Sequence, residues 1–272
     1  MKTSSKFIIV LILFLPSVFL SSCKKDEDDD YTFNIFSLND DIAFGQQLQL
    51  QIESDPETYA LLDTLEYASA YAHVYRIRDS ILNSGELIYG DVFEWDVRII
   101  QDDSVLNAFA APGGYIFIYT GIIKYLDNEA QFAGVLGHEM THADRRHSTD
   151  QLTKAYGLQL LFGIVLGNNP NQLAEIAANL AAGVATLAFS RDAEYEADEY
   201  SVKYLYPTAY DARGVGGFFE KMEGNPQPPE FLSTHPNPGN RIDEIQAIWE
   251  ELGGKVGGTF EESYQEFKST LP

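Results

Sequence analysis

The 272-residue sequence holds one cysteine, Cys23, so no disulfide can form within the chain and its stability has to come from a packed core or a bound ligand. Cations are scarce: 18 Lys and Arg stand against 41 Asp and Glu, a formal charge of −23. So acidic a chain repels phosphate backbones and anionic headgroups, which excludes nucleic-acid binding and any polybasic route to a membrane. Long apolar runs are also lacking. Phe7 to Leu20 is 14 residues and contains Pro16, short of the about 20 residues needed to span a bilayer. Leu158 to Leu166 is shorter still, and reads as a buried segment or a flap over a cleft. Gln172 to Phe189 carries Glu175 and Asn179, which favours a packed alanine-rich helix over a membrane span. No repeat with a period of about 20 to 50 residues is present, which excludes a solenoid.

The N-terminus reads as an address. Lys2 and Lys6 precede the apolar run, and Leu20-Ser21-Ser22-Cys23 follows it in the pattern of a lipoprotein cleavage site. On this reading residues 1–22 are a signal peptide, Cys23 is lipidated, and 23–36 form an acidic tether opening with Lys24-Lys25-Asp26-Glu27-Asp28-Asp29-Asp30. Removing Lys2 and Lys6 takes the formal charge from −23 to −25. Membrane contact is then expected through the lipid alone, as an outer-membrane lipoprotein on the periplasmic side or at the cell surface.

Periodicity in the remainder predicts an α+β fold that is mainly helical. Asp40 and Asp41 favour a helix over Ser37 to Glu53, and a longer helix is expected from Pro56 to the stop at Ser84-Gly85. His73 falls on that second helix without a carboxylate or histidine nearby in sequence, and reads as structural. Strand signals concentrate in Val92 to Ile100 and Tyr115 to Tyr119, with a turn at Pro112-Gly113-Gly114. They predict a small antiparallel sheet, followed by a helix capped near Asp127-Asn128 and continuing through Arg146. Helices are expected from there to the end.

That capped helix contains His138-Glu139-Met140-Thr141-His142, an HExxH segment in a chain with only five histidines. Side chains four residues apart on a helix project from one face, so the two imidazoles can share one ion. Nitrogen ligands at this spacing suit Zn²⁺, and Glu139 is placed to take a proton from water at such a site. A hydrolytic zinc site keeps three protein ligands and an open position, so a third donor is required. A glycine three residues after the segment and a histidine six residues after it would extend the pattern locally, but Arg145 and Ser148 stand there. His147 lies about 140° round an ideal helix from His142 and is expected to point away. A further candidate is Ser190-Arg191-Asp192-Ala193-Glu194-Tyr195-Glu196-Ala197-Asp198, where Ser190 can cap a helix that places Glu194 and Asp198 on one face. The same residues also read as an acidic, solvated helix start, and the spacing alone does not choose.

Taken together, HExxH followed some fifty residues later by Ser-Arg-x-x-Glu-x-x-x-Asp resembles the CAAX-prenyl-protease and HtpX-type zinc metallopeptidase family. Agreement extends to Asn107-Ala108-Phe109-Ala110 with Gly113-Gly114, and to Ser233-Thr234-His235-Pro236 with Arg241-Ile242, so the resemblance runs from about Leu38 to Trp249. It implies a zincin-like domain over 37–272 with one Zn²⁺ per chain, held by His138, His142 and Glu194. Glu139 becomes the catalytic base and Asp198 the acid that orients a ligand histidine. His235 lies near the metal in such proteins, either assisting catalysis or occupying the fourth position and holding the enzyme off. Arg241 either pairs with a site carboxylate or merely opens a helix. Residues Asn107, Ala108, Phe109 and Ala110 would form a strand edge that pairs with extended polypeptide substrates. Without a transmembrane helix after the signal or a tetratricopeptide tail, the chain resembles the compact, lipid-anchored branch of the family. The function implied is endoproteolysis of extended or misfolded envelope proteins, with an inactive or self-inhibited chaperone-like member as the alternative.

Overall fold

The structure is a computed structural model that describes residues 34–156, 188–222, 231–236 and 239–272. Cys23 and the stretches 158–166 and 172–187 lie outside the described residues.

Helix α1 (Leu38–Glu53) begins at Ser37, whose hydroxyl accepts the Asp40 amide while the Asp40 carboxylate accepts the Ser37 N–H, a reciprocal cap. Helix α2 (Ala68–Leu82) is shorter than its sequence suggested. Residues 56–67 form turns instead, and Leu62 donates its amide to the Ile99 carbonyl while Leu61 bridges to Ile100. Pairing with a strand has overridden the helical spacing there. His73 stacks on Phe267 with ring centroids 5.3 Å apart.

Strands β1 (Val97–Ile100), β2 (Ala108–Ala111) and β3 (Tyr115–Tyr119) form one sheet in the order β1-β3-β2. Strand β2 runs antiparallel to β3, with Ala108 opposite Ile118. Strand β1 runs parallel to β3, with Val97 opposite Ile116. The sheet is therefore mixed, where sequence had suggested purely antiparallel pairing. The reason lies in the connection: β2 and its turn act as the crossover between β1 and β3, and such a crossover returns the chain in the same direction. Strand β1 starts late because Trp95 adopts a left-handed backbone, φ 47°, which interrupts the extended run. The β2–β3 turn needs Gly113 and Gly114, at φ 75° and 88°; a Cβ on Gly113 would lie 2.7 Å from the Ile42 Cα of α1.

Alternation along the sheet divides the core. Ala108, Ala110, Ile116 and Ile118 join the larger cluster with α2 and the helices that follow, whereas Phe109, Phe117 and Tyr119 pack under Phe44, Leu48 and Ile52 of α1. After short helix α3 (Thr120–Tyr125) comes α4 (Glu129–Asp144), capped by Asn128, whose side chain accepts the Gln131 amide. Helix α4 has no solvated face: Phe132 through Asp144 are all buried. It ends two residues earlier than expected, because Arg146 turns left-handed at φ 60° and sends its guanidinium to buried Asp41, 2.5 Å away, on α1. Helix α5 (His147–Tyr156) then starts in a new direction.

Helices α6 (Arg191–Leu205) and α7 (Gly214–Met222) pack directly on α4. They are followed by a single turn α8 (Phe231–Thr234), then α9 (Arg241–Glu251) and α10 (Glu261–Ser269). No helix among the described residues is long and apolar enough to cross a membrane. Close approach around α4 depends on small residues. A Cβ on Gly134 would sit 2.1 Å from the Val215 amide nitrogen, and Ser201 Oγ donates to the Gly134 carbonyl at 2.9 Å. Because backbone cannot yield as a side-chain tip can, Gly134→Ala should destabilise the domain by about 1–3 kcal/mol. Thermal unfolding followed by circular dichroism should then show a midpoint several degrees below that of the unaltered chain; an unchanged midpoint would mean that α4 and α7 are not so closely apposed.

Candidate metal centre

Helix α4 projects His138 and His142 from one face and Glu139 beside them, all three fully buried. Helix α6 meets that face. Ser190 caps it by accepting the Ala193 amide, which sets the first turn so that Glu194 and Asp198, both buried, point at α4. The two imidazole Nε2 atoms are 3.0 Å apart, and Glu194 reaches each of them: Oε2 lies 3.5 Å from His138 Nε2 and Oε1 lies 3.5 Å from His142 Nε2. His235, just after α8, completes the group, its Nδ1 3.2 Å from His138 Nε2 and 3.1 Å from Glu194 Oε1. Donor atoms of all four residues lie within 4.8 Å of one another.

The 3.5 Å approaches of Glu194 to both imidazoles suit a metal ion, while the imidazole pair, at 3.0 Å, is slightly closer than ligation would leave it. Bonds of about 2.0–2.2 Å to a tetrahedral ion would place neighbouring donors roughly 3.3–3.6 Å apart. Two further observations agree. Glu194 Oε2 is buried with no hydrogen bond among the described residues, although Arg241 NH1 is 3.0 Å away without hydrogen-bond alignment. The local field also favours positive charge. Burial opposes protonation of His138, but the hydrogen bonds to Asp198 and Glu194 outweigh it and raise the imidazole to about 9. Burial would raise Glu194, yet the neighbouring His235 and the bonds from His138 and His235 hold it far below the usual carboxylate range. His142 is pushed well below its ordinary value, by burial and then by His138. A site that concentrates a positive charge between these donors is one that a cation can enter by displacing a proton.

The supporting residues are as well defined. Asp198 Oδ1 accepts from His138 Nδ1 at 2.9 Å, and Arg241, from the first turn of α9, binds both oxygens of that carboxylate, Nε at 2.5 Å and NH2 at 2.6 Å. Arg241 is itself buried, its guanidinium 4.0 Å above the Phe219 ring. Of the two roles open to Arg241 in the sequence, geometry brings it to the carboxylates. Among the described residues neither carboxylate oxygen of Glu139 is hydrogen-bonded; burial raises its pKa, against the opposing pull of His235 and His138. His235 Nε2 lies 3.4 Å from Glu139 Oε1.

The strand edge differs from expectation. The Asn107 carbonyl accepts the Tyr119 amide, so alternation turns the backbone groups of Ala108 and Ala110 to the open side of β2. That side is not bare. Asn107 Oδ1 accepts the Ala108 amide, the Ala110 carbonyl accepts Ser148 Oγ at 3.2 Å, and Ala108 through Ala111 are all buried. Phe231 of α8 donates to the Leu106 carbonyl, laying the His235 segment alongside. Beside it, Phe44, Phe109, Leu152, Phe189 and His235 border an apolar pocket.

Three contributors lie outside the expected set. His147 does not point away from the site: its Nδ1 is 2.9 Å from His142 Nδ1, and its Nε2 is 3.0 Å from Glu196 Oε2. Helical spacing does not carry to position 147, because α4 stops at Asp144 and the left-handed Arg146 swings His147 back towards His142. The signal available was the crowding of three of the five histidines into ten residues. Phe189 stacks on His142 with centroids 3.9 Å apart, which nothing in its sequence setting announced. Asp144, buried, accepts the amides of Ile88 and Tyr89 and the Tyr204 hydroxyl, fastening the 84–93 loop to the end of α4.

Known proteins resemble the chain over the stretch that includes this site. The chain is 30% identical over 189 residues to the "Beta-barrel assembly-enhancing protease" of Escherichia coli (strain K12), covering 64% of this chain and 38% of that protein. It is 30% identical over 175 residues to the "Mitochondrial metalloendopeptidase OMA1" of Arabidopsis thaliana, covering 60% of this chain and 35% of that one. For the human "Metalloendopeptidase OMA1, mitochondrial", identity is 28% over 169 residues, with 57% and 32% covered. The chain thus spans only 32–38% of the length of these relatives. The pattern of peptidase family M48 matches residues 76–249, well over half of the chain and inclusive of α4, Glu194, Asp198, His235 and Arg241, and on that match the chain belongs to peptidase family M48.

Proposed function

We propose that the chain is a zinc-dependent metalloendopeptidase that cleaves extended or misfolded envelope polypeptides. The observation that carries this reading is the buried triad of His138, His142 and Glu194, its donor atoms 3.0–3.5 Å apart, with the Glu139 carboxylate, not hydrogen-bonded among the described residues, next to it. Zinc, when bound, supplies Lewis acidity and lowers the pKa of a water that it holds. The chain's residues do the rest. Asp198 takes the Nδ1–H of His138 and so directs the Nε2 lone pair to the ion, with Arg241 fixing the carboxylate. Glu139 takes the proton of the attacking water and delivers it to the leaving amine. Burial of the site excludes bulk water and strengthens each of these interactions.

Substrate backbone would lie along Asn107, Ala108, Phe109 and Ala110, where the Asn107 side-chain amide nitrogen is buried without a partner among the described residues and could donate to a carbonyl. Backbone pairing is indifferent to side chains, so specificity is broad, with the pocket beside His235 accepting an apolar residue. The envelope setting rests on Leu20 to Cys23 as a lipidation site and on the name of the Escherichia coli relative. Attachment is through the lipid on Cys23, and the net charge, −23 for the full sequence and −25 once residues 1–22 are removed, leaves nucleic acid without a role.

A second reading, a self-inhibited form, draws on a specific observation. His235 is fully buried at the remaining corner, within 3.2 Å of His138 Nε2 and 3.4 Å of Glu139, while the β2 edge is covered by Ser148 and the α8 segment. Substrate entry would then require residues 231–236 to move.

Glu139→Gln should retain the metal, measured by inductively coupled plasma mass spectrometry, and cleave unfolded casein at least about 10²-fold more slowly; cleavage at the unaltered rate would remove Glu139 from the mechanism. Glu194→Ala should emerge from purification with little bound zinc, and retention of one ion per chain would exclude it as a ligand. His235→Ala separates the two roles of that residue. A rise in casein cleavage marks self-inhibition, and a fall of about 10²-fold or more marks stabilisation of the developing oxyanion.

A further inference from the structure

The two ligand histidines of the proposed zinc site are supported differently. His138 donates its Nδ1–H directly to a carboxylate, Asp198, which Arg241 clamps. Among the described residues, no carboxylate meets His142 at its Nδ1. What meets that atom is another imidazole nitrogen, His147 Nδ1, at 2.9 Å. Two imidazole nitrogens at this separation form a hydrogen bond only if one carries a proton and the other a lone pair.

Metal ligation through His142 Nε2 decides which. A neutral imidazole that presents its Nε2 lone pair to a metal carries its proton on Nδ1, so His142 must be the donor and His147 Nδ1 the acceptor. His147 then carries its own proton on Nε2, and that atom is 3.0 Å from Glu196 Oε2, an acceptor. Glu196 is held in turn by Arg145, whose Nε lies 2.5 Å from Oε1 and whose guanidinium rests 4.5 Å over the Tyr200 ring. Every proton in the series is therefore assigned by the ligand role of its first member. Both arms end in the same way, in a carboxylate gripped by an arginine. The His142 arm is longer by one imidazole and wetter at its far end, where the Glu196 side chain is 32% exposed.

We propose that His147 and Glu196 are positioning residues for the metal centre: they form a hydrogen-bonded relay that holds His142 in the Nδ1–H tautomer and in the ring orientation needed to ligate the ion. The inference rests on the zinc reading above. Phe189, stacked on the face of His142, limits tilting of the ring and leaves rotation within the ring plane to the hydrogen bond. Outer partners of this kind typically govern metal affinity by about 10- to 100-fold. The structure also explains why the relay passes through position 147: α4 ends at Asp144, and the turn at Arg146, anchored on Asp41, delivers the first residue of α5 to the back of His142.

The test uses the full chain and compares His147→Leu, His147→Asn and Glu196→Gln with the unaltered protein. Zinc affinity is measured by competition with a chromophoric chelator, the cobalt(II)-loaded absorption spectrum reports ligand geometry, and the apo-protein's thermal midpoint reports packing. His147→Leu removes the acceptor and should weaken zinc binding about 10- to 100-fold and shift the cobalt bands. In His147→Asn the amide Oδ1 occupies the same place along the side chain as the lost Nδ1, so affinity should recover substantially without the Glu196 arm. Glu196→Gln should fall between the unaltered protein and His147→Leu. Zinc affinity in His147→Leu equal to that of the unaltered protein overturns the proposal. So does equal weakening in the Leu and Asn variants accompanied by a lower apo midpoint, which would give His147 a packing role only. Failure of the unaltered chain to bind zinc at all would overturn the metallopeptidase reading itself, and this inference with it.

Discussion

The molecule depends on placing two imidazoles and several carboxylates at the centre of a close-packed set of helices. Helix α4 is buried along nearly its whole length, so the polar groups at its centre cannot be solvated and must satisfy one another or an ion. Among the described residues they do so incompletely: Glu139 and Glu194 keep oxygens without hydrogen bonds, whereas the nearby buried carboxylates of Asp144 and Asp198 are bonded on both oxygens. A buried group of this kind left partly unsatisfied is costly unless a cation completes it.

The surrounding architecture serves that arrangement. Gly134 and Gly214 let α4 and α7 approach to backbone contact, and Ser201 spans α6 to the Gly134 carbonyl. The Ser201 contact draws α6 close enough for Glu194 to reach both imidazoles. Arg241 and Arg145 stand at the two outer ends of the site, each holding the carboxylate that holds a histidine. The sheet contributes β2, whose open edge is covered by Ser148 and by the turn carrying His235. A single element, the His235 segment, therefore touches His138 and Glu194, the Glu139 carboxylate and the edge of β2. Any movement of it changes all three.

Much of the site was legible in one dimension because its logic is local. An i, i+4 pair on a helix shares a face whatever the rest of the fold does, and Ser190 ahead of Glu194 and Asp198 specifies a helix start by capping alone. Glu194 was less secure from its own surroundings, since an acidic first turn is favourable on any helix. The resemblance to zinc metallopeptidases named it, and the 3.5 Å approaches to both imidazoles are consistent with that choice. His147 was misplaced for an instructive reason. The wheel presumed an unbroken helix, and a left-handed residue, Arg146, broke it; a non-glycine residue adopts that backbone only when tertiary contacts compensate, here the ion pair with Asp41 more than a hundred positions away. The helix expected from Pro56 was lost in the same manner, to strand pairing at Leu61 and Leu62.

From the sequence alone came the chemistry: which side chains can ligate, which carboxylate can shuttle a proton, and that a mainly helical α+β domain carries them. The histidine pair, the carboxylate between them and the helical content follow from short-range spacing and residue type, which do not depend on distant contacts, whereas Glu194 as a ligand was implied by the resemblance alone. Tertiary structure alone decided that the sheet is mixed, that the β2 edge is buried, that Arg241 serves the carboxylates and that His147 supports His142. Each of those outcomes is set by a meeting of segments far apart in the chain, and the free energy of such a meeting resides in burial and complementary geometry that no local pattern encodes.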